Sequence, residues 1–299
     1  MKKALILVSR TNIEQKKTDP EALVAAINKA NKGVEAVWAT LEDLLFVLSQ
    51  DKADVIDTVH DCSLTQYDVV YLRYYSGNLA TAMATARFCA LKQTPFVDRE
   101  ALQVGSQGKL NQYMNLHEIS VPFPSSLIGQ GRLLESTYRT HGFSFPFIVK
   151  AVTGTRGQDN YLVQDESELH RIFAENPDTA YVLQEFLPND GDYRVIVMGN
   201  QVVMIIERKA SGSSHLNNTS QGGSAAIVPI ETLPDEARSM SVRAAQFYGR
   251  DIAGVDIVHS KADGKYYCLE VNRAPQIEHA SFVAEKAALL AEYLAAIAR

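Results

Sequence analysis

Asp256, Glu270 and Asn272 are the residues whose types and spacing best suit chemistry. They lie in residues 254–259 and 265–272, two stretches rich in β-branched and aromatic residues on either side of Asp263-Gly264, a turn signal. The pattern predicts two antiparallel strands. With Ala262-Asp263-Gly264 as the loop and the glycine left-handed, Lys261 pairs with Lys265 and Asp256 falls opposite Glu270. A two-residue Asp-Gly loop would slip the register by one and separate them. Asn272, two residues further on, shares their face. Two carboxylates and an amide oxygen on an otherwise apolar sheet repel unless something positive sits between them. A hard cation that keeps several waters, such as magnesium carried on a nucleotide, fits that arrangement. A solvent-facing polar stripe is the alternative, and the flanking Ile257, Val258, Leu269 and Val271 argue instead for a covered sheet.

Further residues suited to anions and flat heterocycles precede this hairpin. Lys150 ends the strand expected at 145–150, on the same face as Ile148, and a lysine at the end of a buried strand wants an anion. Gly154-Thr155-Arg156-Gly157 follows it, a loop whose N–H groups can cradle phosphate oxygens. No helix begins before Glu166, which excludes a Walker A loop or a Rossmann fingerprint; an ordinary hairpin turn is the competing reading. Gln184-Glu185-Phe186 ends a strand stopped by Pro188, an edge able to present a carboxylate and an apolar wall to a heterocycle. Asp192 opens one strand of a hairpin and Arg208 lies at the end of the other. Residues 210–224 are rich in Ser, Gly and Asn, with His215 and Asn218, and read as an active-site loop. His215 is either a general base or a solvated loop histidine.

Toward the N-terminus, residues 3–8, 20–30 and 34–38 read as a βαβ opening with proline in the helix's first turn. Residues 41–57 give no decisive pattern. A strand at 68–72 ending at Arg73, a helix at 79–91 and a strand at 95–97 complete a small parallel α/β domain, placed at residues 1–104. Arg73 sits just beyond a strand end, where open α/β sheets bind ligands; it is a candidate for a substrate carboxylate or phosphate, and equally a surface arginine. The polar, glycine-containing 103–108 marks a boundary before a helix from Lys109 to about 117. Strands at 125–128, 145–150, 160–163 and 181–187 with helices at 133–140 and 166–173 build a second unit, 105–184. The third, 185–299, holds a hairpin of 192–198 and 201–209 turned at Gly199-Asn200, a strand at 225–229, a helix at 234–248, the acidic hairpin and a last packing helix at 281–298.

Composition narrows the function classes. A chain of 299 residues, 46% hydrophobic and 21% charged, is globular and long enough for an enzyme. Its net charge of -6 gives no footprint for nucleic acid or anionic membrane, so small molecules or proteins are the expected partners, and a homo-oligomer is compatible with it. Cys62, Cys89 and Cys268 are far apart, without CxxC spacing, and read as reduced core thiols. The apolar start breaks off at Ser9-Arg10, and no stretch approaches the length needed to span a bilayer. A cytoplasmic enzyme is the expectation.

Taken together, the order Lys109, Lys150, glycine loop, Gln184-Glu185, Asp192, Arg208, Asn218, Asp256, Glu270, Asn272 resembles the ATP-grasp superfamily, most closely the RimK-type carboxylate–amine ligases. The resemblance covers residues 105–275, and 1–104 is similar to the domain that precedes the two-lobed ATP-grasp fold. It implies that Lys109 and Lys150 contact nucleotide phosphates, that Gly154, Thr155, Arg156 and Gly157 cover them, and that Gln184, Glu185 and Phe186 hold adenine, with Asp192 alongside. Asp256, Glu270 and Asn272 match metal ligands for two magnesium ions, with manganese as a substitute. Arg208 matches an arginine that steadies the γ-phosphate and the acylphosphate, and Asn218 an asparagine before a Gly-Gly pair. The implied reaction joins a carboxylate to an amine of an amino acid or peptide through an acylphosphate. Two departures, Leu216 where an arginine is usual and Arg273-Ala274-Pro275-Gln276 after Asn272, fall where the acceptor is handled. A non-catalytic ATP-binding module and a kinase of the same fold remain the alternatives.

Overall fold

The computed structural model describes every residue except 49–52, 104–108, 153–159, 176–178, 211–222, 280 and 299, and the side chains of 48, 109 and 110. The chain opens with β1 (Lys2–Val8), α1 (Arg10–Glu14), α2 (Pro20–Ala30), β2 (Val34–Thr40), β3 (Leu44–Leu48), β4 (Ala53–Asp57), β5 (Cys62–Ser63), β6 (Val69–Leu72), α3 (Leu79–Lys92) and β7 (Phe96–Val97). Asp19 starts α2 by accepting the Ala22 N–H at 2.9 Å, and Pro20 needs no partner for the N–H it lacks. Strands β2, β1, β6 and β7 form a parallel sheet in that order. Residues 4–8 and 69–72 are buried throughout, because helices cover both faces. Ala4, Ile6 and Val8 pack toward α2, while Leu5 and Leu7 pack toward α3. The undecided stretch 41–57 carries a β3–β4 hairpin, extended by β5. A short apolar run such as Leu44–Leu48 fits strand or buried helix equally by periodicity, so only its pairing decides.

Next come α4 (Lys109–Glu118), β8 (Ser126–Gln130), α5 (Gly131–Thr137), β9 (Phe147–Ala151), β10 (Asn160–Val163), α6 (Glu166–Glu175) and β11 (Ala180–Glu185). Their strands make an antiparallel sheet in the order β10-β9-β11-β8. Phe147, Val149 and Ala151 face a core closed by Leu134 of α5 and by Leu169, Ile172 and Phe173 of α6. Alternation therefore turns Ile148 and Lys150 to the other face, as expected.

The last sheet contains β12 (Asp192–Met198), β13 (Gln201–Lys209), β14 (Ser224–Val228), β15 (Ile252–His259) and β16 (Tyr266–Asn272), with α7 (Asp235–Phe247) and α8 (Val283–Ile297). Its order is β14-β13-β12-β15-β16, antiparallel throughout. Gly199, at φ +59, turns the β12–β13 hairpin in two residues. One face packs on α7 through Val195, Val197, Ile205, Val255 and Ala244. The other meets α8 and the parallel sheet through Ile196, Met198, Met204, Ile206 and Ile252. Leu290 and Leu294 of α8 are fully buried there, about 2 kcal/mol each by area. Lys2 Nζ donates to the Ala298 carbonyl at 2.8 Å, tying the chain's two ends together. The far end of this second face is polar.

Candidate active site

The hairpin of β15 and β16 sets Asp256 opposite Glu270, by a route different from the expected one. The Ser260 N–H donates to the Lys265 carbonyl at 2.9 Å, so the loop is residues 261–264, one longer than the expected three. Gly264 is left-handed at φ +71, as anticipated. That loop alone would put Asp256 opposite Leu269. A bulge between Asp256 and Ile257 leaves Leu269 out of the ladder and restores the match, pairing Ile257 with Cys268 and Asp256 with Glu270. Asn272 Nδ2 donates to Asp256 Oδ2 at 3.3 Å. Ile257, Val258 and Val271 are buried, which rules out a solvent-facing stripe.

Asp256 belongs to a chain of alternating charges that crosses three strands. Arg208 of β13 donates from Nε and Nη2 to its cross-strand partner Asp192 at 2.6 and 2.9 Å, a bidentate pair. The same Nη2 lies 3.0 Å from Asp256 Oδ1. Arg194 of β12, directly beside Asp256 in the ladder, donates to both carboxylate oxygens, to Oδ2 at 2.9 Å from Nη2 and to Oδ1 from Nε. Burial works against the charge on Asp256, yet Arg194 and Arg208 hold its pKa below the ordinary carboxylate value. At Asp192 burial prevails and the pKa is raised, although Arg208 pulls it down. Burial also opposes the charge on Arg208, and Asp256 and Asp192 together keep it protonated.

With Glu270 included, three carboxylates face two guanidiniums, a net negative site. Asp256, Glu270 and Asn272 offer oxygen donors only, the set a hard divalent cation takes. Among the described residues no three His, Cys, Asp or Glu side chains group closely enough to hold a metal by themselves. Two carboxylates and an amide suit a cation that draws its other ligands from water and a phosphate-bearing partner.

A second group forms on the face of the β8–β11 sheet that carries Lys150. Lys150 Nζ donates to Gln184 Oε1 at 2.8 Å, and Gln184 Nε2 donates to Tyr113 Oη at 3.0 Å and Ser126 Oγ at 2.8 Å. Gln184 is buried, so its amide is satisfied by side chains while Lys150 meets a neutral acceptor. Glu185, at the end of β11, is exposed, and Phe186 is half-buried. Lys109 opens α4, but its side chain lies outside the described residues. Gly154, Thr155, Arg156, Gly157, His215, Leu216 and Asn218 lie outside them too.

Arg73 needs correcting on both expectations, since it is neither a surface arginine nor open to a ligand. It is buried, donating from Nη2 to Glu278 Oε2 at 2.5 Å and to the Pro275 carbonyl at 3.1 Å, and from Nη1 to Tyr71 Oη at 3.0 Å. Tyr74 Oη donates to the Ala274 carbonyl at 3.0 Å, and Arg273 lies over the Tyr75 ring, 4.3 Å from its centroid. The parallel sheet thus grips the segment that follows Asn272. Sequence reasoning missed Arg194, Glu278 and Tyr113. Of these only Arg194 left a signal, its place two residues after Asp192 on the same strand face. The thiols are free, and burial pushes Cys89 up to about 12 and raises Cys268, so neither is a thiolate nucleophile at neutral pH. Cys62 is half-buried.

Comparison with known proteins gives the family and the shared fold. The sequence profile of the RimK-like ATP-grasp domain matches residues 107–294. A protein of Haemophilus influenzae (strain ATCC 51907 / DSM 11121 / KW20 / Rd) named "Probable alpha-L-glutamate ligase" is 26% identical over 219 residues, 72% of this chain and 70% of the relative. Its namesake in Haemophilus ducreyi is 27% identical over 243 residues, 78% and 77% of the two chains. Among solved structures, the ATP-grasp ligase PsnB complexed with precursor peptide PsnA2 and AMPPNP superposes with a TM-score of 0.68 at 19% identity, over 98% of this chain and 97% of that one. PsnB with minimal precursor, Mg and ADP gives 0.67 at 19%, over 97% of each chain. Macrocyclase MdnC of Microcystis aeruginosa MRC, bound with precursor peptide MdnA, gives 0.67 at 12%, over 98% and 99%. The profile match spans more than half of the chain, and the fold is shared with ATP-grasp ligases from end to end. The protein is therefore an ATP-dependent ligase that forms carbon–nitrogen bonds, and it belongs to the RimK-like ATP-grasp family.

Proposed function

We propose that the chain joins a carboxylate to an amine of an amino acid or peptide by way of an acylphosphate drawn from ATP. The observation that carries this reading is the pairing of Asp256 with Glu270 in register, with Asn272 on the same face and Arg208 reaching Asp256. Asp256, Glu270 and Asn272 would hold magnesium, two ions on the family pattern with manganese as a substitute. Bound there, the metal neutralises charge on the transferring phosphoryl group. Arg208 steadies the same charge from β13, assisted by Asn218, while Lys109 and Lys150 take phosphate oxygens under the 154–157 loop. Lys150 is free to change partner, because exchanging the neutral Gln184 amide for an anion strengthens its hydrogen bond. Glu185 accepts from the exocyclic amine of adenine, Gln184 and Phe186 line the ring, and Asp192 fixes Arg208. No enzyme nucleophile is needed.

The relatives named for glutamate ligation and the neighbours solved with precursor peptides support an amino-acid or peptide substrate. We divide the chain into 1–104, 105–184 and 185–299; the separate sheets support three units, although β11 runs one residue past the second boundary, to Glu185. Among the described residues no helix is long and apolar enough to cross a membrane. The net charge of -6 and the free thiols support work in the cytoplasm on small or peptide substrates, away from nucleic acid and membrane, as a monomer or homo-oligomer. The test is ADP release against a panel of carboxylates and amines. Release that depends on one carboxylate and one amine supports the ligase. A stable phosphoester would mark a kinase, and no turnover with any pair a binding module; either would overturn the proposal.

A further inference from the structure

Arg194 has no role in the reading above, yet its contacts with Asp256 are the most complete in the site. Both of its side-chain hydrogen bonds end on that carboxylate, one on each oxygen. Arg208 is differently placed: its bidentate partner is Asp192, and it reaches Asp256 only with a shared Nη2. The backbone opposite has made room for Arg194. Gly254, which pairs with Ile196 and Asn272, does not need a left-handed backbone. A Cβ there would stand 2.9 Å from Arg194 Cδ, 3.3 Å from its Nη1 and 3.1 Å from Pro275 Cβ. The arginine therefore lies flat along β15, in a slot between Gly254 and Pro275 that any side chain at 254 would fill.

We propose that Arg194 is a resident counter-ion of the metal site, which holds Asp256 while no divalent cation is present and must release it before one can bind. The proposal rests on the assignment of Asp256, Glu270 and Asn272 as metal ligands. With Arg194, Arg208 and the Asn272 amide all donating to it, Asp256 has little acceptor capacity left. A cation arriving alone would have to displace a bidentate guanidinium and then lie beside that positive charge. A cation arriving on nucleotide phosphates brings the displaced guanidinium a new anionic partner, so entry of the metal–nucleotide complex is favoured over entry of the free ion. Arg194 is thus a positioning residue that makes metal affinity depend on nucleotide.

The experiment titrates free Mn2+ into the nucleotide-free protein and reads unbound ion by electron paramagnetic resonance. Arg194→Met keeps most of the stem and removes the charge, and should bind Mn2+ about tenfold more tightly than the unaltered chain, the scale of a typical coupling between two binding events. With saturating ADP the gap should narrow severalfold. Gly254→Ala keeps every charge and crowds Arg194 out of its slot, so it should shift Mn2+ affinity in the same direction even if Arg194→Met folds poorly. Unchanged or weaker Mn2+ binding in both variants would overturn the proposal. Glu270→Gln separates the two levels of the argument. If it weakens Mn2+ binding in the unaltered chain while both variants gain nothing, only the role of Arg194 fails; if it has no effect in any background, the metal assignment itself fails.

Discussion

Replacing Arg73 with methionine removes the positive member of an ion pair whose two side chains are wholly buried. Glu278 would keep its hydrogen bonds from Thr18 Oγ1 at 2.7 Å and from the Ile277 N–H at 3.2 Å, but no cation within bonding distance among the described residues. Breaking such a pair by removing one partner costs about 3–5 kcal/mol, chiefly because a buried charge is left uncompensated. Removing both charges in Arg73→Met with Glu278→Met should recover most of that loss, since apolar replacement of a whole buried pair is close to neutral. Urea unfolding followed by fluorescence of Trp38, the single tryptophan, measures all three proteins. The pair also has a pH signature. Burial opposes the charge on Glu278, but Arg73 holds its pKa below the ordinary 4.5. A depressed folded-state pKa gives stability that is present above about pH 4.5 and lost as pH falls through the folded value. Glu278→Gln should therefore flatten the acid limb of the stability curve. A loss under about 1 kcal/mol for Arg73→Met, or a double variant as unstable as the single, would refute the reasoning.

Other substitutions probe the site and its supports. Arg208→Ala should slow ATP turnover by about a hundredfold or more, as expected for one lost transition-state charge stabiliser, and should also lower stability because buried Asp192 loses its bidentate partner; a near-normal rate in steady-state assays of the folded variant would remove Arg208 from that role. Glu185→Ala should erode a preference for ATP over GTP measured by calorimetry, because a carboxylate accepts from adenine's amine and not from guanine's carbonyl. Lys286 Nζ donates to the carbonyls of Gln276 and of His279, the latter at 3.0 Å, and burial lowers its pKa to about 8 against the pull of Glu278. Between about pH 8 and 10.5 the unfolded chain binds more protons there than the folded one, so this residue's contribution to stability rises with pH across the window, and Lys286→Met should abolish the rise in melts taken at successive pH values.

The strands that carry the site were legible because each states its own period. Pro20–Ala30 and the Gly199-Asn200 hairpin follow from local patterns, whereas the pairing of Asp256 with Glu270 was expected through a three-residue loop that the chain does not make. The bulge that achieves that pairing was not legible, because no turn or glycine signal in 266–272 marks the extra residue at Leu269. Arg73 was misread for a related reason. Its partner Glu278 lies 205 residues away, and a loop arginine beyond a strand end looks alike whether it meets a ligand or a distant carboxylate. Arg194 was visible as a residue on the face of Asp192, but its engagement with Asp256 depends on the order β13-β12-β15, a tertiary fact. Residues 41–57 formed a hairpin that an apolar run alone cannot distinguish from a helix.

The central claim, that the Asp256–Glu270 hairpin serves ATP-driven activation of a carboxylate, is tested most directly by trapping with hydroxylamine. With a carboxylate that elicits ADP release, the unaltered chain should form a hydroxamate in step with ADP and only with magnesium or manganese present. The variant carrying Asp256→Asn and Glu270→Gln should form neither; it should also unfold more easily than the parent, because Arg194 and Arg208 lose the carboxylate they share, so its circular dichroism is checked at the assay temperature. Hydroxamate formed by the double variant at the parental rate, or ADP released by the parent alongside a stable phosphoester and no hydroxamate, would contradict the claim.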